Sequence, residues 1–212
     1  MCLPLDLWSS FGEPRRMERL LVEILLVSLV TVSFGTGDFC YQKQCPQYEL
    51  IEKNQDFEKR LYVATRWLTT KIESTASSDL IAASSRLKDY CNRCNGAGYE
   101  IPTDTWPVLI TVTHDLSWLL SWFVPPGTRL PENPVPSVTV ESKPESMVYV
   151  RVFGGTPSIE SGQENANALW AALDKNCTDL PIHSGACYES YFALQHHNEI
   201  WIYAHDICNN NK

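Results

Sequence analysis

Hydrophobic and polar residues alternate in short runs along most of the chain that follows residue 47. Alternation with a period of two is typical of a strand that has one buried face. It predicts strands at residues 60–72, 107–113 and 116–124, and again at 146–153, 188–194 and 199–203. Helical spacing replaces it at residues 79–91, after Ser77 and Ser78, and in a second segment where Ser161 and Glu164 have the spacing of a capping box.

The order strand, helix, strand, strand therefore occurs twice. A proline-rich segment at residues 124–138 joins the two halves, and proline excludes a helix there. Neither half has enough strands for a complete sheet, so we expect the halves to share one core. The pattern predicts an α+β fold made by duplication.

The N-terminus has the layout of a secretory signal peptide. Three arginines between residues 15 and 19 precede an apolar core at residues 24–30, and Gly35 and Gly37 offer a cleavage site. Met17 is an alternative start. An uncleaved membrane anchor is disfavoured because Glu23 interrupts the segment and a span needs about 20 apolar residues. We therefore predict a secreted, extracellular protein that has no membrane contact after cleavage.

These boundaries divide the chain into four parts. Residues 1–37 are the predicted signal peptide, and residues 38–47 form a segment that carries two cysteines. Residues 48–206 form the main domain, and residues 207–212 form a C-terminal tail.

Eight cysteines are present, and Cys2 would be removed with the signal peptide. An oxidising compartment favours disulfides among the remaining seven. Local pairing predicts three bridges: Cys40–Cys45, Cys91–Cys94 and Cys177–Cys187. Cys208 is then left over, either free or bridging to a second chain in a dimer. Asn176 lies in a glycosylation sequon, which is used only if the chain is secreted.

Cys91 and Cys94 form a CxxC motif, for which two other interpretations exist. A redox site requires the first cysteine at the N-terminal end of a helix, whereas this pair follows the predicted helix. A zinc site would combine the pair with Cys40 and Cys45. Secretion makes a disulfide the simpler prediction.

Charge and motifs exclude several classes of function. The net charge of -8 disfavours a nucleic-acid partner, because phosphate binding requires a basic surface. The segment RVFGGTP at residues 151–157 has no Lys-Ser or Lys-Thr after its glycines, so it is not a phosphate-binding loop. Gly154 and Gly155 instead predict a sharp turn from strand to helix. No hydrolase motif is visible, so we do not expect an enzyme.

Several segments together resemble the SOUL heme-binding protein family. They are VYVRVFGG and NEIWIY in the second half, and FEKRLYVATRWLTTKIES, TWPVLITV and the proline-rich crossover upstream. The resemblance covers about residues 48–204. It implies a distorted antiparallel β-barrel built from two repeats and flanked by two helices. It also implies that heme or a related tetrapyrrole binds non-covalently in an apolar cleft beside the first helix.

The resemblance also implies candidate ligand contacts. Leu61 stands in an RLY sequence where some members of the family have a histidine implicated as a heme ligand. The candidate contacts are Leu61, Leu80, Ile81, Ser84, Leu87 and Lys88, with Arg86 as a second cation for a propionate. His196 and His197, in the loop before the last strand, are candidate iron ligands.

Two functions follow from these observations. The leading hypothesis is a secreted carrier or scavenger of heme or a related tetrapyrrole. The alternative is a secreted protein-interaction module that has kept the fold and lost heme binding, which the leucine at position 61 favours.

Overall fold

A computed structural model describes residues 38–41, 43–132, 135–173, 182–189 and 193–207. All of them belong to a single contact unit. The helices are α1 (Ser77–Gly96) and α2 (Ile159–Ala172). The strands are β1 (Tyr48–Lys53), β2 (Glu58–Tyr62), β3 (Thr65–Ile72), β4 (Val108–Val112), β5 (Trp118–Val124), β6 (Thr139–Lys143), β7 (Ser146–Phe153), β8 (His183–Cys187) and β9 (Asn198–Tyr203). In these ranges no helix is both long and apolar enough to cross a bilayer.

The nine strands form one antiparallel sheet in the order β1-β2-β7-β9-β8-β4-β5-β3-β6. The predicted α+β class is confirmed. The sheet has two edges, β1 and β6, so it is not closed into the barrel that the family resemblance implies. A curled open sheet keeps the two helices and the antiparallel pairing of that architecture.

The predicted duplication is visible in the strand order. The first repeat, β3-α1-β4-β5, gives the local order β3-β5-β4, and the second repeat, β7-α2-β8-β9, gives β7-β9-β8. Pairing between β4 and β8 joins the two repeats. The strand that precedes each repeat in the chain pairs with the other repeat. β2 precedes the first repeat and pairs with β7 of the second, and β6 precedes the second repeat and pairs with β3 of the first. The halves therefore interlock, and neither can complete the sheet by itself.

Four predicted elements differ from the structure. The strand predicted at residues 60–72 is two strands, β2 and β3, which are separated at Val63 and Ala64. The first helix extends to Gly96, so it contains the CxxC motif that was expected to follow it. The strand before β9 is His183–Cys187 and not residues 188–194. Its sequence, HSGAC, has little apolar alternation, and it is a strand because it pairs with β4 on one side and β9 on the other. The second helix is capped by Ser158 and Ser161 in place of Ser161 and Glu164.

The glycines of RVFGGTP make a turn, as predicted. Gly155 has a φ of +91°, a conformation that side-chain-bearing residues rarely adopt. Its carbonyl accepts a hydrogen bond of 2.8 Å from the side-chain amide of Asn198. The turn is thereby fixed to the start of β9.

The sheet has a core on each face. On β9, Trp201 and Tyr203 belong to an inner cluster to which both repeats contribute, while Ile200 and Ile202 pack under α2. A third cluster lies between α1 and the first repeat, around Leu68, Leu87 and Leu120. Each helix thus covers the outer face of its own repeat, and the inner face is shared.

Candidate functional site

A buried ion pair occupies the shared inner face. Arg60 on β2 and Glu199 on β9 reach each other across β7, and Arg60 Nη1 lies 3.0 Å from Glu199 Oε1. Their side chains are 1% and 0% exposed. Removing two charges from water is costly unless they are paired and hydrogen-bonded, so the rest of the polar network decides what this pair does.

Glu199 has a full set of hydrogen-bond donors. Its Oε1 also lies 2.8 Å from His197 Nε2, while Oε2 accepts bonds from the Tyr188 hydroxyl at 2.9 Å and from Trp201 Nε1 at 2.6 Å. Burial opposes ionisation, but the hydrogen bond from His197 and the charge of Arg60 outweigh it and hold the pKa of Glu199 below its usual range. A carboxylate with four donors is a structural anchor and not a general base.

Arg60 is also held by several partners. Its Nε and Nη2 donate to Glu58 Oε2 at 2.8 and 2.6 Å, and Nη1 donates to the Tyr62 hydroxyl at 2.9 Å. The guanidinium lies 4.4 Å from the centroid of the Tyr48 ring. The RLY and NEIW segments that carry the family resemblance therefore meet in one buried network.

A disulfide-linked segment covers one end of this network. The predicted Cys40–Cys45 bridge is confirmed, and both cysteines are buried in the inner cluster. The ring of Phe39 stacks on His197 with centroids 4.0 Å apart. The carbonyl of Gln44 accepts a bond of 3.1 Å from the backbone of Trp106. The segment is therefore part of the core.

The first candidate binding site is a groove of about 440 Å³ between α1, β3 and the segment before β6, here called the α1 groove. Arg86 of α1 reaches over it, with Nε 3.2 Å from Thr70 Oγ1 and Nη2 bonded to the carbonyl of Lys71. Leu119 and Pro136 supply apolar wall. A cation beside an apolar wall suits an anionic amphipathic ligand.

The contacts implied by the resemblance lie elsewhere. Leu87 is fully buried in the cluster between α1 and the first repeat. Leu80 and Ser84 are half-buried, and Ile81 and Lys88 are exposed. Leu61 is half-buried on β2, whereas α1 packs on β3 and β5. None of the six lines the α1 groove.

Helix geometry explains this difference. Two residues correspond to a rotation of about 200°, so Ser84 and Arg86 lie on opposite flanks of α1. The structure brings Arg86 to the groove and leaves the Ser84 flank outside it.

The two candidate iron ligands have different surroundings. His197 is 20% exposed and is held between Glu199 and the Phe39 ring. His196 is half-buried, and its Nδ1 has no hydrogen-bond partner among the residues that the structure describes. Neither lines the α1 groove, so iron ligation by either one stays a prediction.

The remaining cysteines depart from the predicted pairing. Cys91 and Cys94 are free thiols inside α1, and Cys187 on β8 is free as well. A continuous helix holds Cβ atoms three residues apart at about 5–6 Å, and a disulfide needs about 3.5–4.5 Å. Cys177, Cys208 and the Asn176 sequon lie outside the described residues.

The thiols also fit the alternative interpretations of the CxxC motif poorly. Burial raises the pKa of Cys91 to about 11, which opposes a reactive thiolate. In the part of the chain that the structure describes, no three His, Cys, Asp or Glu side chains are grouped as a metal site would require.

Heme requires apolar surface, partners for its propionates and, for coordination, an axial His, Met, Cys or Tyr. Leu119 and Pro136 are the apolar residues among those that line the α1 groove, and Arg86 and Lys71 are its cations. Two carboxylates, Glu73 and Glu141, line it as well. None of its described lining residues is an axial ligand type. The lining therefore suits the carboxylates of a tetrapyrrole, offers its ring a small apolar surface, and includes no described residue that could coordinate its iron.

A family model for the SOUL heme-binding protein matches residues 43–203. The chain belongs to the SOUL family. The SOUL match contains the α1 groove and the Arg60–Glu199 pair, and it ends at the last residue of β9. It supports heme or tetrapyrrole binding at the level of the family. A search of curated proteins gives no match.

The buried ion pair is the feature that sequence reasoning missed. A glutamate within the apolar run of NEIWIY was a usable signal, because a carboxylate in a buried strand needs a cationic partner. The partner itself could not be identified, since Arg60 is distant in sequence and alternation does not say which strands become neighbours.

Proposed function

We propose that this chain is a secreted carrier or scavenger that holds heme or a related tetrapyrrole in the α1 groove. The observation that carries the proposal is the position of Arg86. Its guanidinium is fixed by two neutral acceptors, Thr70 Oγ1 and the Lys71 carbonyl. Within the described ranges no carboxylate lies within ion-pair distance of it, so its charge is available to a propionate.

Lys71 supplies a second cation at the groove. Its Nζ lies 3.6 Å from Glu73, and both side chains are more than half exposed. An exposed pair of this kind contributes little to stability, so Lys71 can exchange Glu73 for a ligand carboxylate at small cost. Two cations match the two propionates of a heme. Bound heme would supply iron chemistry, but the chain's own residues here act only in binding.

The carrier role and secretion rest on separate support. A disulfide at Cys40–Cys45 suits an oxidising compartment, and the predicted signal peptide would end shortly before it. A groove that provides anion contacts without an axial ligand suits reversible carriage better than catalysis. Release then requires only that the propionates return to water.

The test is a hemin titration of the purified chain, followed by the Soret band. We expect saturable one-to-one binding that weakens at least about tenfold in Arg86→Gln, because a charge-assisted hydrogen bond is worth about 1.5–3 kcal/mol. Arg93→Gln, an exposed position on the same helix, is the matched control and should bind like the parent chain.

A His196→Ala/His197→Ala variant tests the iron ligands, with circular dichroism to verify folding. Persistence of the Soret shift supports binding without histidine coordination, and its loss in a folded variant places the heme at the histidines. Unsaturable binding by the parent chain contradicts heme carriage.

One observation favours the alternative, a protein-interaction module. The edge strand β1 exposes Leu50 and Ile51, at 49% and 45%. Unpaired edge strands can accept a strand from a partner. The hemin titration separates the two functions, because the interaction module predicts no saturable hemin binding.

A further inference from the structure

The disulfide-linked segment before β1, residues 38–47, contacts the buried network at one of its more accessible members, and we call this segment the strap. His197 is 20% exposed, whereas Arg60 and Glu199 are 1% and 0% exposed. The ring of Phe39 lies parallel to the His197 imidazole, with 5° between the planes and 4.0 Å between the centroids. One face of His197 is therefore covered by the strap.

The same ring also contacts two other members of the network. Its edge contact with Tyr188 has a centroid distance of 4.7 Å, and the Arg60 guanidinium lies 5.7 Å from its centroid. Phe39 thus touches three of the groups that hold the Glu199 carboxylate. An apolar ring in this position keeps water from this end of the network, and a low local dielectric strengthens the interactions within it.

The second half of the strap, residues 43–47, is bonded to the rest of the fold through its backbone. The carbonyl of Gln44 accepts a hydrogen bond of 3.1 Å from the backbone of Trp106. The carbonyl of Gln47 accepts another, also of 3.1 Å, from the backbone of Val63. These two bonds fix this half of the strap to the segments that precede β3 and β4.

The Cys40–Cys45 bridge connects the half of the strap that carries Phe39 to the half that is bonded to the fold. Phe39 precedes Cys40 directly, and Cys45 lies between the two backbone anchors. Both cysteines are buried, at 4% and 7% exposure. Without the bridge, the ring contacts alone would have to offset the entropy lost by ordering the first half, and they are too weak for that. The bridge therefore holds the ring in place.

We propose that the Cys40–Cys45 bridge is a redox switch: in the oxidised chain it keeps Phe39 over the buried network, and its reduction releases the strap and uncovers His197. The reductant is a dithiol, whose thiolate attacks one sulfur of the bridge and breaks the S–S bond. The dithiol becomes a disulfide, and its two electrons and two protons pass to the cysteines as two thiols. The strap is closed in an oxidising compartment and opens in a reducing one. The switch does not depend on tetrapyrrole binding in the α1 groove.

The test is modification of histidines by diethylpyrocarbonate, with and without dithiothreitol, located by fragmentation mass spectrometry. We expect the rate at His197 to rise at least about tenfold on reduction, because the strap gains the freedom that the bridge removed. His205, whose side chain is 59% exposed, is the internal reference and should keep its rate. Cys40→Ser/Cys45→Ser should show the fast His197 rate with and without dithiothreitol. Phe39→Ala should show it with the bridge intact.

Three outcomes would overturn the switch. The first is an unchanged rate at His197 after full reduction, verified by alkylation of both cysteines of the bridge. The second is a slow rate at His197 in either variant. The third is a loss of the circular dichroism signal on reduction together with faster modification of every histidine, because the bridge then stabilises the whole fold. A faster rate at His197 alone, in a chain that stays folded, supports the switch.

Discussion

Arg60 and Glu199 form an ion pair that is closed off from solvent, with Nη1 3.0 Å from Oε1. The two residues come from different halves of the chain, one from the strand that leads into the first repeat and one from the last strand of the second. The pair therefore connects β2, which precedes the first repeat in the chain, to the second repeat. Its hydrogen-bond partners leave no free position on Glu199 for a substrate.

Removal of the carboxylate charge should destabilise the fold strongly. We expect Glu199→Gln to lower the free energy of unfolding by about 3–5 kcal/mol, because Arg60 then keeps a buried charge that Glu58 only partly compensates. Urea denaturation measures this. Glu73→Gln is the control, since the Lys71–Glu73 pair is exposed and should contribute at most about 1 kcal/mol. Equal effects of the two substitutions would contradict the role assigned to the buried network.

Stability should fall in acid. Burial opposes ionisation of Glu58, but its hydrogen bond from Lys53 and the charge of Arg60 outweigh this and lower its pKa, and the pKa of Glu199 is lowered too. A group with a lowered folded pKa stabilises the fold above its unfolded pKa, about 4.3, and that contribution is lost as pH falls through the folded value.

Urea midpoints measured from neutral pH down to about pH 3 test this dependence. We expect the midpoint of the parent chain to fall more steeply than that of Glu58→Gln, which has no carboxylate to protonate at this position. Parallel curves for the two proteins would show that Glu58 is not linked to folding.

Substitutions on α1 should separate packing from binding. Leu87 is fully buried, so Leu87→Ala should cost about 2–5 kcal/mol of unfolding free energy. Ile81 is 65% exposed, so Ile81→Ala should change stability by at most about 0.5 kcal/mol. Hemin titration of Ile81→Ala then tests the contact implied by the family resemblance, and unchanged affinity would remove Ile81 from the site.

Thiol mapping should distinguish free cysteines from the predicted disulfides. Cys91 and Cys94 are buried, so we expect them to resist alkylation in the native chain and to react in denaturant without reductant. Arg93 lies between them, so trypsin separates the two modified cysteines into different peptides for mass spectrometry. If modification requires a reductant, the two cysteines are joined by the predicted Cys91–Cys94 bridge.

Local patterns predicted the elements whose formation depends on neighbouring residues. Helical spacing identified α1 and α2, and alternation identified β4, β5, β7 and β9. Pairing of neighbouring cysteines predicted the Cys40–Cys45 bridge, but the same rule failed for Cys91 and Cys94, because it takes no account of the helix that contains them. The repeat order, and with it the α+β class, followed from these elements.

Features that join distant parts of the chain needed the tertiary structure. The pattern in HSGAC does not predict a strand, and the segment is a strand because it pairs with β4 and β9. The CxxC motif suggested a disulfide bridge, but α1 continues through both cysteines. By itself the sequence determined a duplicated α+β chain, since helix and strand periodicity are local. Only the tertiary structure decided that β2 and β6 each pair with the opposite repeat and that Arg60 meets Glu199. Such long-range pairing is selected by packing of the whole sheet.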